Sequence, residues 1–391
     1  MPWKEESMLS QKQKFIACFE SHQFTKSQLC RDFGISRPTG DAIIERYQNE
    51  GWEAIGNKSR APYRHPNQTP ERIEEAIIKK REKYPRWGAR KIRELLFRDE
   101  SVPNEQIPSE VTVNHILKKN GMIVSRKRGR RRLENQYPYF DPTEPNQIWS
   151  TDFKGKFRMG NQEYCHPLTI ADSYSRYLFA VKALIKPDKE HSKPIFEQVF
   201  REFGIPEQMH SDNGAPFGSA ISLRRMTQLS VWLMELGITP VYSDPGHPEQ
   251  NGRHERMHRE LKADATRPPA NNLRSQQVKF NDFINQYNNE RPHEALGMRT
   301  PSEAHVRSCR EYPRYLRDWD YENDLRTKMV TVNGCICWYQ DQIMISTALA
   351  GKYVGLEDLE DGLWRVYYRH VELGILSEKT KRVYEVDDFN L

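Results

Sequence analysis

The sequence predicts a multidomain protein with two α-helical helix-turn-helix domains, an α/β core and a small C-terminal β-barrel. Short capped helices fill 1–62 and 63–124, strands alternate with amphipathic helices over 145–305, and short strands with turn signals occupy 306–391. A basic linker over 125–144 separates the helical part from the core. A chain of 391 residues is long enough to bury several such cores.

Composition argues against a membrane-spanning or secreted protein. The longest apolar runs are much shorter than the roughly 20 residues of a spanning helix, and the polar N-terminus lacks a signal-peptide apolar region. The six cysteines are scattered without a paired CxxC spacing, which favours free thiols and argues against a structural zinc. We therefore expect a cytoplasmic protein.

Positive charge is concentrated in the first part of the chain. Residues 1–144 contain 28 Lys and Arg against 20 Asp and Glu, whereas the whole chain has a formal net charge of +6. The rest of the chain is slightly acidic. This distribution predicts that sequence-independent attraction to phosphates lies in the helical part.

The first helical domain has the signals of three helices, over 11–20, 26–33 and 37–47. Thr25 and Gln28 predict a capping box for the second helix. In a helix-turn-helix arrangement the third helix would enter the major groove of DNA, and a purely structural three-helix bundle is the alternative. The residues that it would present are Arg37, Thr39, Gly40 and Arg46.

A second unit of similar design follows. Thr69 and Pro70 are typical of a helix start, and further helices are expected near 88–97 and 109–119. Two helix-turn-helix units in tandem can grip a longer DNA site than one.

Six of the seven residues over 126–132 are cationic. Blocks of like charge are usually solvated, and a solvated linker is one reading of this run. The other is a segment that lies along or inside a DNA groove between two anchored domains. The cations are Arg126, Lys127, Arg128, Arg130, Arg131 and Arg132.

Three carboxylates lie at element ends within the core, whose predicted order is β, β, β, α, β, α, β, α. Asp152 belongs to the first strand, Asp212 ends a short strand before the Asn213-Gly214 turn, and Glu255 lies on a helix that starts near 251. Acids converging from two strands and a helix favour Mg²⁺ or Mn²⁺, and two such ions support phosphoryl transfer. Asp172, a fourth acid, is expected to hold a turn.

The residues around these acids resemble the retroviral-integrase superfamily of DDE transposases, in particular bacterial insertion-sequence transposases with an integrase-type core. The resemblance covers about 145–305. The interval from Asp212 to Glu255 holds 42 intervening residues, more than the family's familiar pattern, and an insertion around 218–226 would absorb the excess. The matching residues are Thr151-Asp152, Ala171-Asp172, Ser175-Arg176, Ser211-Asp212-Asn213-Gly214, Pro248, Gln250-Asn251-Gly252, Glu255, Lys262, Tyr287-Asn288 and Arg291-Pro292-His293.

This resemblance implies an RNase H-like fold and a bacterial, nucleoid-associated transposase that acts as a DNA nuclease and strand transferase. Such an enzyme binds the terminal inverted repeats of its element, cleaves there and joins the 3′-hydroxyl ends to target DNA. Asp152, Asp212 and Glu255 would hold two Mg²⁺ or Mn²⁺ ions. Lys262 would contact the DNA end, and Gln250 and Asn251 the loop beside the scissile phosphate. Joining two ends together implies a homo-oligomer, a dimer or larger.

Two other functions remain open on the residues alone. The helix of Glu255 also contains an HExxH sequence, His254 to His258, which is typical of zinc peptidases. Its flanking residues are polar, so we expect both histidines on a DNA-facing or subunit-facing side of the helix. The other possibility is a domesticated DNA-binding regulator with an inactive core, although the presence of all three acids weighs against it.

The C-terminal segment has the pattern of short strands and turns. Asn333-Gly334 predicts a hairpin that joins strands over 329–332 and 335–339, and Asp361-Gly362 precedes a strand over 363–368. We expect a small barrel, similar to the SH3-like C-terminal domain of integrases.

Overall fold

The structure, a computed structural model, describes residues 8–56, 68–123, 141–219, 222–243, 252–322 and 324–385. The chain divides into two compact units, Met1–Pro70 and Glu71–Leu391. The predicted basic segment over 126–132 and two predicted DNA contacts, Gln250 and Asn251, lie outside the described residues. Within the described part of the chain, no helix is long and apolar enough to cross a membrane.

The first unit is the predicted three-helix domain, with helices α1 (Met8–Glu20), α2 (Lys26–Asp32) and α3 (Arg37–Glu50). The capping box of Thr25 and Gln28 is present, and Ser36 caps α3 through its side chain. These caps satisfy backbone N–H groups that the first helical turn leaves unpaired. They fix the start of α3, so the helix-turn-helix geometry follows from local sequence.

Gly40 faces the interior of this unit, which contradicts its predicted place on the DNA-facing side. A Cβ at this position would lie 2.5 Å from Cys30 Sγ and 3.3 Å from Phe15 Cζ. Only a residue without a side chain allows α3 to approach its neighbours this closely. The glycine therefore serves helix packing.

The second unit begins with a helical domain of α4 (Glu71–Lys83), α5 (Ala89–Phe97) and α6 (Glu110–Lys119). Its apolar core includes Ile77, Ile92 and Val113, all fully buried. Ser109 caps α6 as the sequence pattern indicated. The second helical domain is thus confirmed, while the exact domain limits stay predictions.

The α/β core contains a six-stranded mixed sheet in the order β2-β3-β1-β5-β6, with β4 on the other side of β3. Strands β1, β3 and β4 are antiparallel neighbours, whereas β1, β5 and β6 run parallel. A two-residue strand, β2, was not predicted. The strands are β1 (Ile148–Phe153), β2 (Phe157–Arg158), β3 (Tyr164–Asp172), β4 (Leu178–Leu184), β5 (Gln208–Ser211) and β6 (Thr239–Tyr242).

Helices cover both faces of this sheet. One face packs against α7 (Lys189–Phe203) and α8 (Gln228–Glu235) around Trp149, and the other against α9 (Gly252–Ala265) and α10 (Leu273–Asn285). A π-helical turn, Gln286–Glu290, and a short helix, α11 (Pro301–Ala304), follow. The predicted order of core elements is confirmed apart from the extra strand.

The C-terminal region forms a five-stranded antiparallel sheet in the order β13-β12-β11-β10-β7 and a separate hairpin of β8 and β9. The predicted strand over 363–368 is confirmed as β11. Closure of this region into an SH3-like barrel stays a prediction. The strands are β7 (Arg326–Met329), β8 (Cys335–Trp338), β9 (Asp341–Met344), β10 (Tyr353–Asp358), β11 (Leu363–Tyr368), β12 (Val371–Ser377) and β13 (Arg382–Tyr384).

The predicted pairing across Asn333-Gly334 is wrong. Strand β7 pairs with β10, and β8 pairs with β9. Gly334 has a positive φ of 81°, and its N–H donates to the Thr331 carbonyl, so a turn does form. After this turn the chain enters β8, whose partner is β9 and not β7.

Candidate active site

The parallel register of β1 and β5 brings two of the three acids to one edge of the sheet. Ser150 pairs with His210 across the two strands. Two positions further along each chain are Asp152 and Asp212, which therefore lie at the same height along the sheet. Because side chains alternate along a strand, Asp152 shares the face of Ser150, which is the face that α9 covers. Asp212 follows the last residue of β5 and is exposed.

Two histidines fix the third acid's helix against the sheet. His254 and His258 of α9 are 3% and 4% exposed. Their Nε2 atoms lie 2.6 and 2.7 Å from the Thr169 hydroxyl, and His254 Nδ1 lies 2.9 Å from Ser150 Oγ. The two imidazoles therefore bind strands β1 and β3 on the same face as Asp152.

Counting donors assigns the tautomers of this cluster. The Thr169 hydroxyl donates its single proton to the Asp152 carbonyl oxygen at 2.9 Å, so its two lone pairs accept from both Nε2–H groups. The Nδ1 atom of His254 then accepts from Ser150. Every polar atom of Thr169 is satisfied, which makes this hydroxyl the junction between α9 and the sheet.

The burial of His254 and His258 contradicts the expectation that they face DNA or a second subunit. It also removes the zinc-peptidase reading, because the Nε2 atoms converge on a threonine hydroxyl while Glu255, between them in the sequence, is exposed. A zincin requires both histidines and the glutamate at one metal. In this chain, the two histidines of the HExxH sequence hold α9 in its orientation against the sheet.

The three acids interact electrostatically. Burial, followed by the charge of Asp212, raises the pKa of Asp152 to about 7, and the charge of Glu255 acts in the same direction. His258 Nδ1 lies 3.5 Å from Asp152 Oδ2. In the described residues, no group of three His, Cys, Asp or Glu side chains is already close enough to hold a metal ion. A cation near Asp152 would relieve the repulsion that Asp212 and Glu255 exert on it.

The loop after Asp212 is held by a residue of the long interval noted in the sequence. Arg225 Nη1 donates to Asn213 Oδ1 and, at 3.1 Å, to the Ser243 carbonyl, which also accepts from Asn213 Nδ2 at 2.7 Å. The Gly214 N–H donates to Asp212 Oδ1 at 3.2 Å. Arg225 thus connects the ends of β5 and β6 beside the second acid.

Two families described as integrase core domains match residues 142–248 and 236–301. The chain contains an integrase core domain. A helix-turn-helix domain family matches residues 11–63 and a homeodomain-like family residues 39–117, so the N-terminal helices are helix-turn-helix domains.

Retroviral polyproteins are among the relatives of this chain. The Gag-Pol polyprotein of feline leukemia virus is 28% identical over 218 residues, which cover 52% of this chain and 11% of the polyprotein. That of gibbon ape leukemia virus is 26% identical over 204 residues, covering 51% of this chain and 11% of the polyprotein. The chain therefore spans about a tenth of these relatives. A structure of the HTLV-2 integrase catalytic core domain with magnesium, in a trimeric form, is 16% identical with a TM-score of 0.34, covering 42% of this chain and 99% of that domain.

Asp172, the fourth acid of the integrase core, holds a turn as expected. It is buried, and its Oδ2 accepts from Ser175 N at 2.9 Å and from Ser175 Oγ, while Oδ1 accepts from Asn146 N at 3.2 Å. These bonds use its carboxylate to close the turn between β3 and β4.

The predicted DNA contacts that the structure describes lie in different places. Arg37 and Thr39 are exposed at the start of α3, and Lys262 is exposed on α9 two turns after Glu255. Arg46 is partly buried, with Nη1 donating to the Gly56 carbonyl at 3.4 Å. Of these residues only Lys262 belongs to the integrase core.

Sequence reasoning missed the Ser150, Thr169 and Arg225 contacts. One signal was available for the first two: histidines spaced i, i+4 on an amphipathic helix share a face, and the alternating pattern of β1 and β3 exposes hydroxyls on one side. The contact of Arg225 with Asn213 depends on the path of an irregular segment, for which the sequence has no periodic signal.

Proposed function

We propose that the chain is a transposase that binds the terminal inverted repeats of an insertion sequence, cleaves DNA at the element ends and joins the 3′-hydroxyl ends to target DNA. The observation that carries this proposal is the register of β1 and β5, which brings the chain positions of Asp152 and Asp212 to one edge of the sheet, with α9, the helix of Glu255, tied to the same face by Thr169. The helix-turn-helix domains support a DNA substrate.

In this proposal Asp152, Asp212 and Glu255 hold Mg²⁺ or Mn²⁺ ions, two per site. The residues fit such ions in donor type, because all three offer carboxylate oxygens, and in charge, because burial and the charges of the other two acids raise the pKa of Asp152. When bound, the ions would activate the attacking oxygen and stabilise the leaving oxygen in an in-line displacement. Thr169 and Ser150, through the histidines, keep the Glu255 helix in register with Asp152.

DNA recognition is assigned to the remaining predicted residues. Arg37, Thr39 and Arg46 of α3 would read the terminal repeat, and Lys262, with Gln250 and Asn251, would contact DNA beside the acids. The cations over 126–132 would neutralise phosphates without reading sequence. Joining two ends in one event requires two copies of the chain or more.

The C-terminal region is proposed to close into a small barrel. The hairpin supports this, because β8 lies against β7 and β9 against β13, the two edge strands of the five-stranded sheet. Lys381, just before β13, pairs with Asp341 of β9 at 3.1 Å. Closure would remove both exposed sheet edges.

The proposal is tested by neutralising each acid. Asp152→Asn, Asp212→Asn and Glu255→Gln should each reduce cleavage and strand transfer on end-bearing DNA by about a thousandfold or more in Mg²⁺ or Mn²⁺, because each removes a metal ligand. End binding, measured by fluorescence anisotropy, should stay within about threefold, since the recognition residues are elsewhere.

Asp282→Asn is the matched control, because Asp282 is an exposed acid on α10 without a hydrogen bond or ion pair to the described residues. It should leave the reaction unchanged. Cleavage that survives at wild-type rate in any of the three variants removes that acid from the site. A wild-type chain that binds the repeat but neither cleaves nor joins it under both metals is the DNA-binding regulator with an inactive core.

A further inference from the structure

A cationic cavity of about 610 Å³ lies beside α9. Around the helix axis, its lining arginines on α9 lie roughly 40° (Arg259), 100° (Arg256) and 160° (Arg253) from Glu255. Its walls come from α5, the turn before β4, α9 and the segment after the π-helical turn. The cations that line it are Lys91, Arg176, Arg253, Arg256, Arg259 and Arg291.

The acids of this cavity neutralise only part of that charge. Glu260 makes a bidentate ion pair with Arg291, and Glu294 lies 3.4 Å from Arg90, outside the lining set. Lys91, Arg256 and Arg259 have no ion-pair partner among the described residues. Arg256 and Arg259 are exposed, whereas Lys91 is partly buried, and a partly buried cation without a partner raises the free energy of the fold unless an anion compensates it.

Three buried nitrogens in and around the cavity lack a hydrogen-bond partner within the described part of the chain. They are Arg176 Nη1, Arg291 Nε and His293 Nε2. Unpaired buried polar atoms are rare in folded proteins. The two arginine nitrogens are N–H donors, so their place on one cavity points to acceptor oxygens from a bound group.

The electrostatics of the same residues agree with a missing anion. Burial, then the charge of Arg291, lowers the pKa of Lys91 to about 8. Burial, then the charges of Arg291 and Lys91, lowers the pKa of His293 to about 3. Burial, then the charge of Arg253, lowers the pKa of Arg176 to about 10. Burial is the largest cause of each shift, and the neighbouring cations of the cavity add to it.

We propose that this cavity binds phosphate oxygens, and that their source is the sugar-phosphate backbone of a DNA segment held beside Arg253, Arg256 and Arg259 of α9. The inference rests on the proposed function, since that function supplies the DNA. It adds a second DNA-contacting surface, made by α5 of the second helix-turn-helix domain together with the integrase core.

The extent of the cationic surface favours a polymer over a small phosphorylated molecule. A second cavity, of about 730 Å³, shares Arg176, Arg253 and Ala295 with the first and continues to Arg299. The shared residues make the two cavities continuous. A surface of that length presents cations to successive phosphates, as backbone-tracking grooves do.

Inorganic pyrophosphate is the probe for the cavity, titrated calorimetrically into the full chain in EDTA so that no ion occupies the acids. The test variant is Lys91→Gln/Arg256→Gln, and Arg259→Gln is a second variant, because Arg259 is exposed and its replacement leaves the core intact. The matched control is Arg274→Gln/Lys279→Gln, which removes one exposed and one partly buried cation from α10 that do not line the cavity. We expect at least about tenfold weaker pyrophosphate binding in the double test variant and no more than about twofold in the control.

The source of the phosphate is tested by competition. A 30-base-pair duplex without the terminal repeat should displace pyrophosphate from the wild-type chain, and the salt dependence of its binding should become shallower in the test variants only. Equal pyrophosphate affinity in wild type and test variants overturns the site. Pyrophosphate that binds but is not displaced by DNA overturns the assignment to nucleic acid. Neither readout involves cleavage, so a chain that passes here and fails to cut DNA loses the proposed function alone.

Discussion

At the scale of single residues, one hydroxyl connects α9, the helix of Glu255, to the sheet. Thr169 accepts from His254 and His258 and donates to the Asp152 backbone, so a single side chain touches two of the elements that carry the candidate acids. A serine or threonine on a strand gives no functional signal in a sequence. The Thr169 hydroxyl holds α9 only because two histidines one turn apart, His254 and His258, contact it.

Replacing Thr169 with valine keeps the shape of the side chain and removes the acceptor. Two buried imidazole N–H groups would lose their partner, and each such loss costs about 1–3 kcal/mol, so the thermal midpoint of the integrase core should fall by several degrees. Cleavage should fall as well, because α9 is no longer held to β3. Differential scanning calorimetry and a cleavage assay on pre-formed ends would measure the two effects.

Thr169→Ser is the control for this substitution, because it restores the hydroxyl. The serine variant should have a thermal midpoint and a cleavage rate close to those of the wild-type chain. A valine variant with an unchanged midpoint would mean that the histidines find other acceptors and that the hydroxyl is not the junction.

At the scale of elements, short sequence signals predicted features that depend on neighbouring residues alone, such as a helix cap. The capping box of α2 was predicted, because a capping side chain acts within a few residues. The pairing of β7 was not. Its partner, β10, lies more than twenty residues away, and the Asn333-Gly334 turn carries no information on which strand follows at such a distance.

The long interval after Asp212 is a second element whose role the sequence could not supply. Its residues 222–226 contact the C-terminal sheet: Met226 is buried in that sheet's apolar core, and Ser222 Oγ lies 2.9 Å from Ser346 Oγ. Arg224 N donates to Glu385 Oε1 at 2.9 Å, whereas the next residue, Arg225, turns to Asn213. The segment therefore touches the C-terminal region and the loop of the second acid through adjacent residues.

Arg225→Gln tests whether this segment positions Asp212. Losing the contacts with Asn213 and the Ser243 carbonyl should loosen the loop and lower the turnover number of cleavage by about 10–100-fold, with little change in the DNA concentration at half-maximal rate. Arg224→Gln, which faces the C-terminal sheet, serves as the neighbouring control and should have a smaller effect. An equal loss in both variants would indicate general destabilisation and not positioning.

At the scale of the whole molecule, the second helix-turn-helix domain belongs to the same compact unit as the integrase core. Arg86 pairs with Asp264 at 2.9 Å, Tyr84 donates to Glu290, and Arg98 reaches α11. Composition and motifs predicted both domains but not their contact, because the joining residues are charged surface positions with no periodic pattern. These contacts use acids that follow Glu255 in the chain, so the domain contacts the C-terminal end of α9, through Asp264, and the segment after that helix.

The contribution of these contacts to holding the helical domain can be tested by reversing the charges of Arg98 and Glu303. Arg98 donates through Nη1 and Nη2 to the two carboxylate oxygens of Glu303 at 3.1 and 3.2 Å, and through Nη2 to the Met298 carbonyl at 2.9 Å. Both side chains are partly exposed, at 30% and 47%, so screening limits the pair to about 1 kcal/mol. Reversal to Arg98→Glu adds like-charge repulsion and should speed amide hydrogen exchange in α4 to α6 while the strands of the core keep their protection.

The double variant Arg98→Glu/Glu303→Arg re-forms the ion pair in the opposite direction and should return exchange in α4 to α6 part of the way toward wild type, since the bond to Met298 is not recovered. Glu303→Arg alone should resemble Arg98→Glu. If the single reversals leave amide hydrogen exchange in α4 to α6 unchanged, the ion pair does not contribute measurably to the stability of the helical domain. The domain is then held by its apolar contacts and by the contact of Tyr84. If the double variant exchanges faster than either single one, the coupling between the two residues has the wrong sign for a direct pair.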